Sequence, residues 1–195
     1  MATEEFISKA AIYYAYQFEK KRAGNGFKTH IMPPSNVFDL VTAGKQYKHI
    51  EDIFKYAIRY IEVKSTRYGL PVDFKILKEI CSELKPNIGI PIKSNKYYVY
   101  VIFNLGLNKI PYLVVLDSRF IRNHGKMCGV DCITIHRVAD TIAKKKMPIY
   151  RLPMLTAARK NSVETFFSKM ATSKKRWKDK GKLHFHFAAQ DLIST

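Results

Sequence analysis

The spacing of apolar residues at the start of the chain predicts a helix. Thr3 can cap its N-terminus, and two glutamates follow where the helix dipole favours negative charge. A run of basic residues and then Gly24 marks its end. One face carries four apolar residues at intervals of four, three and four: Ile7, Ala11, Tyr14 and Phe18.

Alternation of apolar and polar residues predicts strands in the middle of the chain. Residues 57–65 are the strongest case, since Ile61 and Val63 fall on one face while Glu62 and Lys64 fall on the other. A short apolar run at residues 37–42 and two further segments also have strand character. These two segments, residues 97–105 and 111–116, are joined by a predicted turn at 106–108.

Two later segments have helical spacing. The first, residues 72–84, follows Pro71, and the second spans residues 157–170. The resulting succession of helix, strand, strand, helix, strand, strand is typical of a mixed α/β layer structure.

Composition and charge restrict the class of protein. The chain has 195 residues, 47% of them hydrophobic, which is enough to bury a core and excludes a fully disordered protein. It contains 34 Lys and Arg against 16 Asp and Glu, a net charge of +18 that favours polyanionic partners. It lacks a run of about 20 apolar residues, a recognisable secretory signal and an even set of cysteines. We therefore expect a cytoplasmic protein that is neither secreted nor bound to a membrane.

Basic residues are concentrated near the C-terminus. Residues 144–182 contain 13 Lys or Arg and only two acids, Glu164 and Asp179. This stretch can be simply a solvated charged loop, but basic residues with one interleaved Trp suit phosphate contacts and base stacking. The candidate DNA-binding residues are Lys174, Lys175, Arg176, Trp177 and Lys178.

The residues best suited to catalysis lie on two predicted strands. Glu62 and Lys64 share a strand face, and Asp39 lies 23 residues before Glu62 on another short strand. Two carboxylates on adjacent strands can hold Mg²⁺, which prefers oxygen ligands, and the ion can polarise a phosphodiester. The lysine amine can orient a water and offset charge on the phosphate.

These residues resemble the PD-(D/E)xK signature of restriction-endonuclease-like nucleases. The resemblance rests on Asp39 and on the string Ile-Glu-Val-Lys-Ser-Thr at residues 61–66, and it extends over roughly residues 3–120. It implies a nuclease core over residues 1–120, with a mixed central sheet flanked by helices. Residues 121–195 would form a basic extension packed on this core, for DNA contact or dimerisation.

The resemblance also implies roles for individual residues. Asp39 and Glu62 would bind Mg²⁺, with Mn²⁺ as a possible substitute, the main-chain carbonyl of Val63 would be a further ligand, and Lys64 would orient the attacking water. Phe38 stands where the motif often has proline, so Asp52 competes with Asp39. Some resolvase-like members add a glutamate from the first helix. Glu4 is the candidate here, because it lies near the apolar stripe while Glu5 and Glu19 lie further round.

The expected activity is type II restriction-like cleavage of duplex DNA by a homodimer, since cutting two strands generally needs two sites. The alternatives are a Holliday-junction resolvase or another structure-specific nuclease, and a non-catalytic nucleic-acid-binding protein in which Glu62 and Lys64 are a solvated pair.

Two other patterns invite a metal interpretation but favour ordinary structure. Four Cys and His residues recur at intervals of four: His124, Cys128, Cys132 and His136. Their spacing does not match common zinc motifs, so ordinary structure is favoured over a zinc site. His184 and His186 alternate with Phe185 and Phe187, which predicts a terminal strand.

Overall fold

The computed structural model describes residues 3–32, 38–47, 50–65, 67, 96–117, 148–179 and 187–188, and for 50, 51, 171–179 and 187–188 only the backbone. Two α-helices and one 3₁₀-helix are described: α1 (Glu4–Ala23), α2 (Ala157–Asp179) and the 3₁₀-helix Ile50–Phe54. The strands are β1 (Phe27–Ile31), β2 (Leu40–Gly44), β3 (Ala57–Ser65), β4 (Tyr97–Phe103), β5 (Tyr112–Leu116), β6 (Ile149–Arg151) and β7 (Phe187–Ala188).

Helix α1 has the ends that its sequence predicts. The Thr3 hydroxyl accepts a hydrogen bond from the N–H of Phe6 at 3.3 Å, which caps the helix start. At the other end, Gly24 has a φ of 76°, a conformation that residues with a Cβ rarely adopt. Its N–H donates to the Lys20 carbonyl and ends the helix.

The strands form one mixed sheet. Seven strands are described, in the order β6-β5-β4-β3-β2-β1-β7, and β3 pairs with β4 in parallel while every other described pair is antiparallel. The predicted mixed α/β architecture is confirmed. A parallel pair needs a crossover connection, here the segment between Ser65 and Tyr97. The helix predicted at residues 72–84 lies outside the described residues.

Strand β1 is an element that the apolar pattern does not predict. Its sequence includes Lys28, Thr29 and His30, yet Thr29 and His30 are buried. The Thr29 hydroxyl lies 3.1 Å from that of Thr42, and His30 Nε2 lies 2.6 Å from the Tyr47 hydroxyl. These hydrogen bonds make the burial of polar groups tolerable.

Both helices contribute to a core on one face of the sheet. The sheet supplies residues such as Ile61, Tyr100 and Ile102, α1 supplies Ile7 and Ala11, and α2 adds Val163. The ring of Phe166 in α2 lies 5.3 Å from that of Tyr13 and 5.5 Å from that of Tyr16 in α1. Side chains alternate along a strand, so Val41 and Ala43 point to the opposite face, where they pack with Met32, Ile53 and Ala57.

The C-terminal part of the chain joins the same sheet. Strand β6 pairs with β5, and β7 pairs with β1 through His30 opposite Ala188 and Ile31 opposite Phe187. Helix α2 continues nine residues beyond the predicted end at 170. His184 and His186 lie outside the described residues, as does the candidate zinc set that begins at His124.

No helix within the described ranges combines the length and the apolar character needed to cross a bilayer.

Candidate active site

Asp39 lies directly before β2, and its backbone is held from both sides. Its N–H donates to the Ile61 carbonyl of β3 at 3.1 Å, and its carbonyl accepts from the N–H of Met32, after β1, at 2.8 Å. The register of β2 and β3 begins with Leu40 opposite Ile61, and Asp39 lies directly before this pair. The chain therefore presents this carboxylate at a defined position on the sheet.

The Asp39 side chain binds the backbone of the Glu-Val-Lys string. Its Oδ2 accepts a hydrogen bond from the N–H of Val63 at 2.8 Å. In an extended strand the N–H and C=O of one residue point to the same side, so the Val63 carbonyl faces the β2 side as well. Three oxygen-bearing groups of the sequence hypothesis, those of Asp39, Glu62 and Val63, thus belong to one short stretch of paired backbone.

Glu62 and Lys64 form an ion pair with 3.0 Å between Oε1 and Nζ. Their side chains are only 13% and 20% exposed, so the pair is largely shielded from water and its electrostatic interactions are correspondingly strong. Ile61 and Val63 pack into the core under α1, which puts Glu62 and Lys64 on the opposite face of the sheet.

Carboxylate and carbonyl oxygens are the ligands that a hard divalent cation prefers. Mg²⁺ is commonly held by one or two carboxylates, with waters and substrate oxygens completing its octahedron. The two candidate carboxylates here are those of Asp39, directly before β2, and of Glu62 on β3. Within the part of the chain that the structure describes, no three His, Cys, Asp or Glu side chains cluster at metal-binding distance. The fit therefore rests on these two carboxylates and the Val63 carbonyl.

Aromatic rings line the same region. The ring of Phe38 stacks on that of Tyr60, with centroids 4.8 Å apart and planes 29° apart, and Phe54 lies on Tyr60 at 6.3 Å and 20°. Phe38 thus fills the position before Asp39 by packing on β3. This contact gives a physical reason for an aromatic residue at the place where the motif often has proline.

The remaining predicted residues lie elsewhere. Asp52 pairs with Lys55 at 2.7 Å in the 3₁₀-helix, while Asp39 is the residue bonded to Val63. Glu4 is exposed, and the expectation that Glu19 lies further from the buried face was wrong, because Glu19 is fully buried. The five candidate DNA-binding residues lie in the last turns of α2, where only the backbone is described: Lys174, Lys175, Arg176, Trp177 and Lys178.

Sequence reasoning missed the contacts of Glu19. Its carboxylate accepts hydrogen bonds from the hydroxyl of Thr42 at 2.9 Å, from Nε of Arg59 and from the hydroxyl of Tyr100. Arg22 donates to the same Tyr100 oxygen at 2.7 Å. Burial, then the neighbouring Glu19 carboxylate, raise the pKa of Tyr100. The helical spacing of Ala11, Ala15 and Glu19 indicates that Glu19 lies on the buried face of α1. It does not indicate which residues Glu19 contacts.

Comparison of the chain with protein-family models, curated proteins and solved structures finds no match.

Proposed function

We propose that this protein is a metal-dependent DNA endonuclease with a PD-(D/E)xK-like active site. Asp39, Glu62 and the Val63 carbonyl would hold Mg²⁺, and Lys64 would act on the attacking water. The observation that carries this proposal is the hydrogen bond from the Val63 N–H to Asp39 Oδ2, because it joins residues 24 positions apart in one oxygen-rich site. Since no relative supports it, the proposal depends on this geometry and on the motif.

The chain's own residues have separable tasks in this mechanism. The chemistry that bound Mg²⁺ supplies is polarisation of the phosphodiester and a lower pKa for its water. Asp39 and Glu62 would hold the ion, and the largely buried Lys64 ammonium, 3.0 Å from Glu62, would orient the water and balance charge that develops on the phosphate.

Net charge supports a nucleic-acid substrate. The excess of +18 attracts a phosphate backbone, and the basic end of α2 provides lysines and an indole within one helix. We propose duplex DNA as the substrate and a homodimer as the cutting form, since one chain has one such motif. Branched DNA is the alternative substrate.

The decisive experiment incubates pure protein with plasmid and with four-way junction DNA, in Mg²⁺, in Mn²⁺ and with chelator. Cleavage that needs the metal is the expected result. Glu62→Gln and Lys64→Ala should each reduce the cleavage rate by roughly 100-fold or more while duplex affinity stays within about twofold. Cleavage of plasmid over junction would indicate the restriction-like activity, and the reverse preference a resolvase.

Two matched variants sharpen this test. Glu5→Gln removes a carboxylate from the exposed ion pair of Glu5 with Lys9 on α1, and it should leave cleavage unchanged. Asp52→Asn tests the competing metal ligand and should also leave cleavage unchanged, because Asp52 pairs with Lys55. Undiminished cutting by Glu62→Gln would refute the proposed site.

A non-catalytic nucleic-acid-binding protein is the second candidate. The observation that favours it is the Glu62–Lys64 ion pair, because each charge already satisfies the other. A protein of this kind should bind duplex DNA equally well with chelator and after Glu62→Gln, and should cleave DNA in neither Mg²⁺ nor Mn²⁺.

A further inference from the structure

Glu19 is a buried charge that the proposed chemistry does not use. It lies near the end of α1 with its side chain fully buried. Removing a carboxylate from water is costly unless its oxygens are paired and hydrogen-bonded. Glu19 meets this requirement through three donors and an Arg22 nitrogen 4.0 Å away. The role of this buried carboxylate follows from where its hydrogen-bond donors lie.

The three donors come from three adjacent strands. Thr42 lies on β2, Arg59 on β3 and Tyr100 on β4. One carboxylate oxygen, Oε1, accepts from both Thr42 and Arg59, and the other accepts from Tyr100. Glu19 therefore ties together the centre of the sheet from the α1 side.

Two of these partners lie where the sheet is least regular. Thr42 and Arg59 face each other in the register of β2 and β3, and the register shifts between Thr42 and Ala43. At such a bulge the backbone ladder is disrupted, so it specifies the pairing less strongly than elsewhere. The Glu19 carboxylate binds both members of the last regular pair before the shift.

The candidate active site lies on the other side of the same strands. Asp39 is three residues from Thr42, Glu62 is three residues from Arg59, and Val63 is paired with Tyr100. A slip of one residue between strands would move every side chain to the opposite face. The interactions that fix β2 against β3 therefore also fix Asp39 against Val63.

We propose that Glu19 is a positioning residue, which holds the register of β2 and β3 from the α1 side so that the Asp39 carboxylate keeps its hydrogen bond with the Val63 N–H. Its consequence for metal binding rests on the proposed function. Its geometric content, the Asp39–Val63 contact, can be measured without any activity.

The experiment compares the full-length protein with Glu19→Gln. Amide hydrogen exchange at Val63 reports the contact directly, and exchange at Ile102, between β3 and β5 in the sheet, reports general stability. We expect Val63 exchange to accelerate by at least about tenfold relative to Ile102, and Mn²⁺ affinity measured by calorimetry to fall by a similar factor. A merely structural role would move both amides together and leave Mn²⁺ affinity intact, which would overturn the proposal.

A second pair of variants keeps the test independent of the folding of Glu19→Gln. Thr42→Val removes the hydroxyl that donates to Glu19, whereas Thr42→Ser retains it. The valine variant should reproduce both changes and the serine variant should restore the native values. Equal Val63-to-Ile102 ratios in the two variants would contradict the proposed role.

Tyr16→Phe is the matched control. It removes another fully buried oxygen from α1, one that has no hydrogen-bond partner among the described residues. It should leave the exchange ratio unchanged, and a change as large as that of Glu19→Gln would overturn the proposal. If the native protein neither binds Mn²⁺ nor cuts DNA, the proposed function fails, while the exchange ratio still decides the role of Glu19.

Discussion

At the scale of single residues, the proposed function gives two tasks to one carboxylate. Asp39 Oδ2 accepts a hydrogen bond from the N–H of Val63, which joins the start of β2 to β3, and in the proposed function the same carboxylate would help to hold Mg²⁺. A structural hydrogen bond needs only an oxygen acceptor, whereas Mg²⁺ needs the negative charge. Substitutions can therefore separate the two tasks.

Asp39→Asn should separate them most cleanly. The amide oxygen can still accept from Val63, so we expect the free energy of unfolding in urea to change by less than about 1 kcal/mol. The lost charge should reduce cleavage by roughly 100-fold or more and weaken Mn²⁺ binding. Asp39→Ala, which also leaves the Val63 N–H without this acceptor, should cost about 1–3 kcal/mol. An asparagine variant with native cleavage would remove Asp39 from the site.

The sequence allowed part of this site to be anticipated. Alternation along residues 57–65 was enough to put Glu62 and Lys64 on one face, and the acid within the short apolar run at residues 37–42 pointed to Asp39, which the structure places directly before β2. The burial of Glu19 was not accessible in the same way. Its partners are 23, 40 and 81 residues away in sequence, and local periodicity carries no information on contacts at that range.

At the scale of elements, the apolar pattern predicted those that bury a hydrophobic stripe. Helix α1 and strands β3, β4 and β5 are such elements, and their bounds agree with the prediction to within a few residues. Strand β1 was missed because Thr29 and His30 occupy its buried positions. Helix α2 extends beyond its predicted end because its lysine-rich last turns consist of good helix formers, although apolar residues do not recur there at helical spacing.

Packing between the two helices gives a pH dependence that can be measured. Burial raises the pKa of Tyr16 to about 12. The unfolded chain releases this proton near pH 10, so unfolding becomes more favourable as the pH rises from 10 to 12. Stability contributed by protonated Tyr16 is complete below pH 10 and is lost by about pH 12.

Tyr16→Phe should remove this contribution. Between pH 10 and 11, the native protein should lose about 1 kcal/mol more of its unfolding free energy than the phenylalanine variant, because the unfolded tyrosine is already half ionised at pH 10. Urea titrations at pH 9, 10 and 11 measure the difference. Tyr100, whose pKa burial also raises, is common to both proteins and cancels in the comparison. Parallel pH profiles would show that Tyr16 ionises at its ordinary value in the folded protein.

At the scale of the whole molecule, fold and charge are connected through α2. Its first half packs against α1, with Val163 in the core and Phe166 on the rings of Tyr13 and Tyr16. The basic residues of its second half continue the same helix to Asp179. The fold thus joins the candidate DNA-binding segment to the sheet that carries Asp39 and Glu62 by a continuous helix. Charge counting located this segment in the sequence, but only tertiary structure could relate it to the sheet.

The salt dependence of DNA binding tests this basic segment without disturbing the fold. Replacing Lys174, Lys175, Arg176 and Lys178 with glutamine keeps helix propensity and removes four positive charges. If each contacts a phosphate, the slope of log K against log salt should become shallower by about 3.6, since one phosphate contact contributes about 0.9. Fluorescence anisotropy on a labelled duplex, in chelator and at several salt concentrations, measures the slope.

A control with glutamine at four exposed lysines elsewhere removes the same charge: Lys21, Lys45, Lys55 and Lys109. The two variants carry equal net charge, so a general attraction to the protein would reduce both slopes alike, whereas contacts made by the end of α2 would flatten the first slope only. Equal slopes in the two variants would contradict a DNA-binding role for this helix end.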